Sequence, residues 1–241
     1  MSLRISEVYE SVQGEGPRVG KPTIFVRFAG CNLKCPGWPC DTQHAIDPKL
    51  YRQDWKEMDV PELVDLIGET GGTDRNICFT GGEPWLQKAE ELKALVEALI
   101  ADGYSVFECF TNGTFEFPEW AREMMYFVMD WKLKGSGDSF QVNMLKSRMK
   151  NYFNMDGSDA IKFVIKDDAD LEEAIRTDYM LKAEAHRLGK RSFEVPETYY
   201  GVVWGAMKEA DLIEKVLELG LVWRLNVQVH NHVWPRDQRG T

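Results

Sequence analysis

The sequence predicts an α/β chain, an open or incomplete (β/α) barrel of about six parallel strands. Three observations predict it. Apolar, β-branched runs alternate with stretches of helical periodicity. The residues able to carry chemistry follow the predicted strands directly, and in barrels and open α/β sheets that end holds the site. The length of 241 residues is long for an ordinary domain but normal for an α/β barrel. No repeat or linker is visible, so residues 1–241 are read as a single domain, with 236–241 a frayed tail.

The elements follow in order. Leu3 to Val8 alternates apolar and polar residues and reads as a first strand, broken by Gln13-Gly14-Glu15-Gly16-Pro17. That glycine turn is no dinucleotide fingerprint, because no helical pattern follows it. Thr23 to Phe28 reads as a second strand interrupted by Arg27, which calls for a carboxylate or phosphate partner unless it points to solvent. Residues 43 to 59 show no period and read as an insertion or lid. Asp59-Val-Pro61 opens a helix to about Glu69, with a capping Asp and proline in the first turn. Asn76 to Thr80 is a short strand ending in Gly81-Gly82-Glu83-Pro84. Leu92, Leu95, Val96, Leu99 and Ile100 mark a helix. Strands are predicted at 104–110, 126–130 and 160–165, and a long helix at 167–188. Residues 133–158 read as irregular or weakly helical, with Lys146–Lys150 a solvated basic face. Thr198 to Trp204 is a strand, and Leu212 to Leu217 mark a helix closed by Gly220. Leu221 to Val229 is a final strand carrying Gln228 and leading to His230.

A hydrophobic content of 44% supports a folded core, so global disorder is excluded. The formal charge of −10 argues against nonspecific nucleic-acid binding and against an anionic membrane surface. No 18-residue apolar stretch and no signal-type apolar segment is present, so a cytoplasmic protein with reduced thiols is expected.

Three of the five cysteines fall within ten residues, in Cys31-Asn-Leu-Lys-Cys35-Pro-Gly-Trp-Pro-Cys40. The prolines forbid regular structure, so this is a loop holding three thiols near one point. Two metal chemistries stay open on spacing alone. His44 could complete a four-ligand zinc site with Cys31, Cys35 and Cys40. Alternatively, the three thiols hold a [4Fe–4S] cluster with one iron open to a further ligand. Cys78 and Cys109 lie inside predicted strands, where free cysteines are small buried hydrophobes.

A three-cysteine loop after one strand, with Gly81-Gly82-Glu83-Pro84 after the next, resembles the radical S-adenosylmethionine (SAM) superfamily. Val12-Gln-Gly-Glu-Gly16, Arg27-Phe-Ala-Gly30-Cys31-Asn-Leu33, Cys40-Asp41-Thr42, Thr80, Thr111-Asn112-Gly113 and Gln228-Val-His230 narrow the resemblance. Together they resemble the 7-carboxy-7-deazaguanine synthases of queuosine and 7-deazapurine biosynthesis, over residues 5 to about 235. Two departures stand out. The spacing Cys31-x₃-Cys35-x₄-Cys40 is longer than the superfamily's common Cx₃Cx₂C. Phe110 and Asp130-Trp131 stand where the family often has Glu and Ser-Pro.

The resemblance implies a carbon–nitrogen lyase that contracts 6-carboxy-5,6,7,8-tetrahydropterin to 7-carboxy-7-deazaguanine and releases ammonia. It implies a [4Fe–4S] cluster on Cys31, Cys35 and Cys40, SAM, and Mg²⁺ at Thr42. Asp41, Gly81, Gly82, Glu83, Asp130 and Lys132 are then expected near SAM. Val12, Gln13, Gly14, Glu15, Arg27, Thr80, Asn112, Gln228 and His230 are expected at the substrate, with Arg27 on its carboxylate as a two-pronged donor. No catalytic residue is expected beyond the cluster and SAM. A flavodoxin- or ferredoxin-type reductant and a homodimer are implied as partners. The rival readings are a radical SAM activase of a glycyl-radical enzyme and a non-catalytic zinc module.

Overall fold

A computed structural model describes residues 2–38, 40–138, 146–235 and 238–240. Within them one sheet of nine strands runs in the order β3-β1-β2-β4-β5-β6-β7-β8-β9. The strands are β1 (Leu3–Val12), β2 (Pro22–Phe28), β3 (Lys56–Met58), β4 (Asn76–Gly81), β5 (Phe107–Thr111), β6 (Tyr126–Asp130), β7 (Ala160–Ile165), β8 (Glu197–Val202) and β9 (Arg224–Leu225). From β2 through β4 to β9 every pairing is parallel and follows chain order, while β1 lies antiparallel between β2 and β3. The two edges, β3 and β9, do not pair, so the barrel is open. The fold class expected from the sequence is therefore found, with an antiparallel pair added at one edge.

Side-chain alternation divides the sheet into two faces. On one face Val26, Phe28, Ile77, Phe79 and Phe127 pack with Leu63, Ile67, Leu92, Leu95, Val96 and Leu99 from the helices Val60–Thr70 and Ala89–Ala101. The intervening strand residues include Arg27, Thr80, Phe110, Val128, Asp130 and Lys162, which share one cavity on the other face. The register explains this grouping: Arg27 pairs with Thr80, Phe110 with Val128 and Asp130 with Lys162. A polar residue inside an apolar strand thus marks the face that is not packed by helices.

Several expectations are corrected. Residues 43–59 are no lid without structure: they form the short helices Gln43–Ile46 and Pro48–Tyr51, a 3₁₀ turn and β3, which covers the open side of β1. The final strand shrinks to two residues. Asn226 still donates its N–H to the Tyr200 carbonyl at 2.8 Å, but Gln228 then caps the helix Val229–Val233. The basic stretch at 146–150 is a helix, Lys146–Asn154, and not wholly a solvated face, because Arg148 is fully buried. The tail residues Gln238, Arg239 and Gly240 lie against the cavity. No helix among the described residues is long and apolar enough to cross a membrane.

The helix predicted at Asp59 shows how local sequence sets an element. Asp59 Oδ1 accepts the Glu62 N–H at 3.0 Å, and Glu62 Oε2 accepts the Asp59 N–H at 3.0 Å. This reciprocal cap satisfies two of the end donors, and Pro61 occupies the first turn, where no donor is needed. Asp59→Ala should cost about 1 kcal/mol. Urea unfolding checks it: the midpoint should fall while the slope stays unchanged.

Candidate active site

The cavity has a volume of ≈ 270 Å³ at the C-terminal ends of the parallel strands. Of the expected site residues, it is lined by Cys31, Cys35, Cys40, Asp41, Thr42, Gly81, Gly82, Asp130, Lys132, Val12, Gln13, Gly14, Glu15, Arg27, Thr80, Asn112 and His230. Glu83 and Gln228 stand behind its wall.

The cysteine loop leaves β2 at Gly30 and is held against the Gly81-Gly82 turn. Gly82 donates its N–H to Phe28 O at 3.0 Å, and Glu83 donates its N–H to Gly30 O at 2.8 Å. A Cβ on Gly82 would lie 1.8 Å from the Gly30 carbonyl, so only glycine permits this approach. Burial pushes the Cys31 thiol up to about 11 and the Cys35 thiol up to about 12, and raises Cys40 as well. Lys132 partly offsets this at all three thiols, since its positive charge favours the thiolate that a metal needs.

The zinc alternative receives no geometric support. His44 Nε2 lies 2.8 Å from Glu7 Oε1, turned to a carboxylate instead of the thiols. Among the described residues no three Cys, His, Asp or Glu side chains, the three thiols included, converge on a single ion position, which bears on one zinc ion but not on a four-iron cluster whose cysteines bind separate irons. Cys78 and Cys109 are both fully buried, as expected, and Cys78 also borders the cavity, its sulfur 3.6 Å from Gln13 Nε2.

Glu83 does not face the cavity. Its carboxylate accepts the Thr111 hydroxyl at 2.7 Å and the Asn112 N–H at 2.8 Å, and burial raises it to about 7. It thereby ties the glycine turn to the Thr111-Asn112-Gly113 turn. Arg148 extends the same scaffold from below. It donates Nε–H to Asn112 O at 3.1 Å and Nη2–H to Asp130 O, with its guanidinium carbon 4.7 Å from the Trp131 ring centre.

The Gln13–Gly16 turn is fixed by charge and by the C-terminal segment. Glu15 Oε2 lies 2.7 Å from Lys162 Nζ, and Glu15 Oε1 accepts from Gln228 Nε2 at 2.7 Å. Gly16 donates its N–H to Asn226 Oδ1 at 3.0 Å, and Val229 donates its N–H to Gly14 O at 3.1 Å. Lys162 continues to Asp130 at 3.8 Å, and Asp130 takes Lys132 at 2.6 Å. Burial opposes the Glu15 charge, but Lys162, with smaller help from His230 and Gln228, outweighs it and brings Glu15 down to about 2. Gln13 is engaged at both ends of its amide: Nε2 donates to Glu108 Oε2 at 2.6 Å and Oε1 accepts the Glu15 N–H at 3.3 Å.

Arg27 is ion-paired within the protein. Its Nε–H donates to Glu7 Oε1 at 2.6 Å and its Nη2–H to the Tyr9 hydroxyl at 2.5 Å. Glu7 and Tyr9 therefore occupy part of the donor fork expected for a substrate carboxylate. Thr42 Oγ1 lies 3.3 Å from Cys40 Sγ and 3.4 Å from Gly81 O.

Sequence reasoning missed Lys162, Glu108, Arg148 and the Glu7–Tyr9 pair, and read His44 as a possible zinc ligand where it meets Glu7 instead. Lys162 and Glu108 had a signal: each is a charge within an apolar strand, as Arg27 is. Arg148 had none, since its neighbours are also basic.

The Glu15–Lys162 pair gives a pH prediction. Glu15 sits below its ordinary 4.5, so its contribution is full above that value and is lost as pH falls through about 2. Lys162 is raised above its ordinary 10.5 because Glu15 and Asp130 outweigh burial, so its contribution is full below that value. Lys162→Met should destabilise the fold by roughly 3–5 kcal/mol at neutral pH, because it strands a buried carboxylate. Burial raises the stranded Glu15 of this variant, so urea unfolding should show the deficit already narrowing as pH falls towards 4.5 and continuing below it, and Glu15→Gln with Lys162→Met should recover most of it.

Comparison with known proteins agrees with this geometry. The 4Fe-4S single cluster domain family matches residues 12–150. A 7-carboxy-7-deazaguanine synthase of Leptospira interrogans is 32% identical, the alignment spanning 100% of this chain and 98% of that protein. A Clostridium acetobutylicum protein of the same name is 30% identical, with 100% of both chains covered. The crystal structure of QueE from Escherichia coli superposes with a TM-score of 0.69 at 24% identity, covering 95% of this chain and 94% of that one, which establishes the shared fold. With the cysteine loop, the glycine turn and the Gln13–Gly16 turn around one cavity, the chain belongs to the 7-carboxy-7-deazaguanine synthase family.

Proposed function

We propose that this chain is a radical SAM carbon–nitrogen lyase that converts 6-carboxy-5,6,7,8-tetrahydropterin to 7-carboxy-7-deazaguanine with loss of ammonia. One observation carries the reading. The three-thiol loop, the Gly81-Gly82 turn and the Gln13–Gly16 turn with Arg27 line a single cavity. A glycyl-radical activase has no use for the last of these.

The residues present fit the implied groups. Three thiols on one wall suit a cluster one protein ligand short, with SAM taking the open position. Asp130 Oδ1 is buried without a hydrogen-bond partner, and it belongs to a residue on the cavity wall. A cofactor carrying hydroxyl donors, as SAM does, would satisfy it. When bound, the cluster and SAM supply the one-electron chemistry that starts the ring contraction. The chain supplies position and electrostatics. Phe110 and Val128 give the cavity an apolar wall, and Lys162 and Lys132 hold fixed positive charge beside it. Arg27 has no protein hydrogen bond at Nη1 among the described residues, so a substrate carboxylate meets the two N–H groups of that nitrogen, oriented by Glu7 and Tyr9. Glu15, Gln13 and Gln228 hold the turn that carries the Gly14 backbone to the pterin. His230 stands next to Gly14, where a Cβ would come within 2.6 Å of its Nδ1. Thr42 would contribute one ligand to Mg²⁺, with substrate oxygens and water completing six-coordination. A flavodoxin- or ferredoxin-type reductant, a homodimer and a cytoplasmic setting complete the reading.

Anaerobically reconstituted protein should carry about four irons and four sulfides per chain. One zinc and no iron would falsify the radical reading. With SAM, Mg²⁺, reductant and the carboxytetrahydropterin it should release the deazaguanine product, and Cys35→Ala should yield no 5′-deoxyadenosine. SAM cleavage with intact pterin would leave the superfamily and remove the substrate. Arg27→Ala should raise the pterin KM about tenfold or more, through loss of a charge-assisted hydrogen bond. Iron content should be unchanged, and an unchanged KM would end the carboxylate role.

A further inference from the structure

Pro36 and Gly37, which follow Cys35, have a docking place in the fold. The turn Lys134–Ser136 follows Lys132 after β6. Gly37 donates its N–H to Ser136 O at 2.9 Å. A Cβ on Gly37 would lie 1.7 Å from Gly135 O, and one on Gly137 would lie 2.6 Å from Pro36 Cγ. The longer loop and this turn therefore meet backbone to backbone.

Asp138 then reaches the cysteine itself. Its Oδ2 accepts the Lys34 N–H at 2.9 Å and also the Cys35 N–H. Cys35 has φ +41°, the one non-glycine residue among those described in the left-handed region. For an L-residue with a side chain this conformation is strained and persists only where surroundings impose it. The turn is anchored in its own right. Gly135 donates its N–H to Asp170 Oδ1 at 2.8 Å, Lys134 donates its N–H to Glu173 Oε2 at 2.9 Å, and the Ser136 hydroxyl donates to Leu133 O at 2.7 Å. Asp170 and Glu173 belong to the long helix Asp168–Arg187, a fixed element of the outer layer.

We propose that Asp138 and the Gly135–Ser136 backbone form a clamp that positions Cys35 as a cluster ligand, with Pro36 and Gly37 docked on the turn beside it. Asp138 is a positioning residue: it acts through the Lys34 and Cys35 amides. The inference rests on the cluster assignment made above.

The test uses the full chain, reconstituted anaerobically, with D138A, D138N, G37A and the control G68A. Gly68 lies in the helix Val60–Thr70 with nothing within 4 Å of an added Cβ. Bound iron and sulfide, the rate of cluster bleaching in air and the melting temperature of iron-free protein are measured. D138A and G37A should lose the cluster about tenfold faster than wild type, the scale seen when groups orienting metal ligands are removed. D138N should stay close to wild type, because its amide oxygen still accepts both N–H groups, and G68A should bleach as wild type does, its melting temperature unchanged or higher. Iron-free D138A should melt as wild type does. Bleaching of D138A at the wild-type rate overturns the clamp, as does D138N bleaching as fast as D138A. An iron-free D138A already unfolded overturns the claim that the clamp acts on the cysteine loop. Wild-type protein that takes up no iron overturns the cluster assignment instead, so the two failures are distinguishable.

Discussion

The buried contact between Glu15 and Lys162 joins the first turn of the chain to its seventh strand across 147 positions of sequence. Much of the site hangs from it. Through Glu15 it holds Gln228 and the C-terminal helix, and through Lys162 it faces Asp130 and then Lys132. Charges taken out of water are tolerated only with close partners and satisfied hydrogen bonds. Alternating signs from Glu15 to Lys132 meet that requirement while keeping a positive group beside the thiols. Strands β6 and β7 can carry ionised side chains into the interior because each is answered by its neighbour on the next strand.

The fold was legible because two periodicities repeat along the chain. Apolar alternation and helical stripes located most of the parallel strands and the main covering helices, and Asp59 with Pro61 marked one helix start correctly. Legibility failed where long-range pairing decides the structure. β3 is three residues whose sequence carries no strand signal, and it exists because the free side of β1 offers a partner. The last strand failed for the opposite reason. Its apolar run is strand-like, but the Asn226 side chain is drawn to Gly16 and the chain turns into a helix instead.

The site divides similarly. Residues flanking glycine turns and the cysteine loop were legible, because turn chemistry and thiol spacing are local properties. Their orientation was not. Glu83 faces inward to Thr111 and Asn112, and Gln13 has both amide ends engaged, so each acts on the cavity through what it holds. Lys162 could have been found by the reasoning applied to Arg27, since an ionised side chain inside an apolar strand must face a partner or solvent. Arg148 could not, because a basic stretch next to a helix is usually surface, and only the tertiary fold shows two backbone carbonyls awaiting its donors.

The contacts of Asn226, Gln228 and Val229 with the Gln13–Gly16 turn carry a consequence for synthesis. The cavity combines the first two strands with residues 210 positions further along the chain. A ribosome must release residues past 230 before the turn at Gln13–Gly16 can be pinned. Until then the three thiols emerge early on a chain whose enclosing wall does not yet exist, open to oxygen and to stray metal ions. The wall around the thiols is therefore complete only in a chain that has already brought these distant segments together.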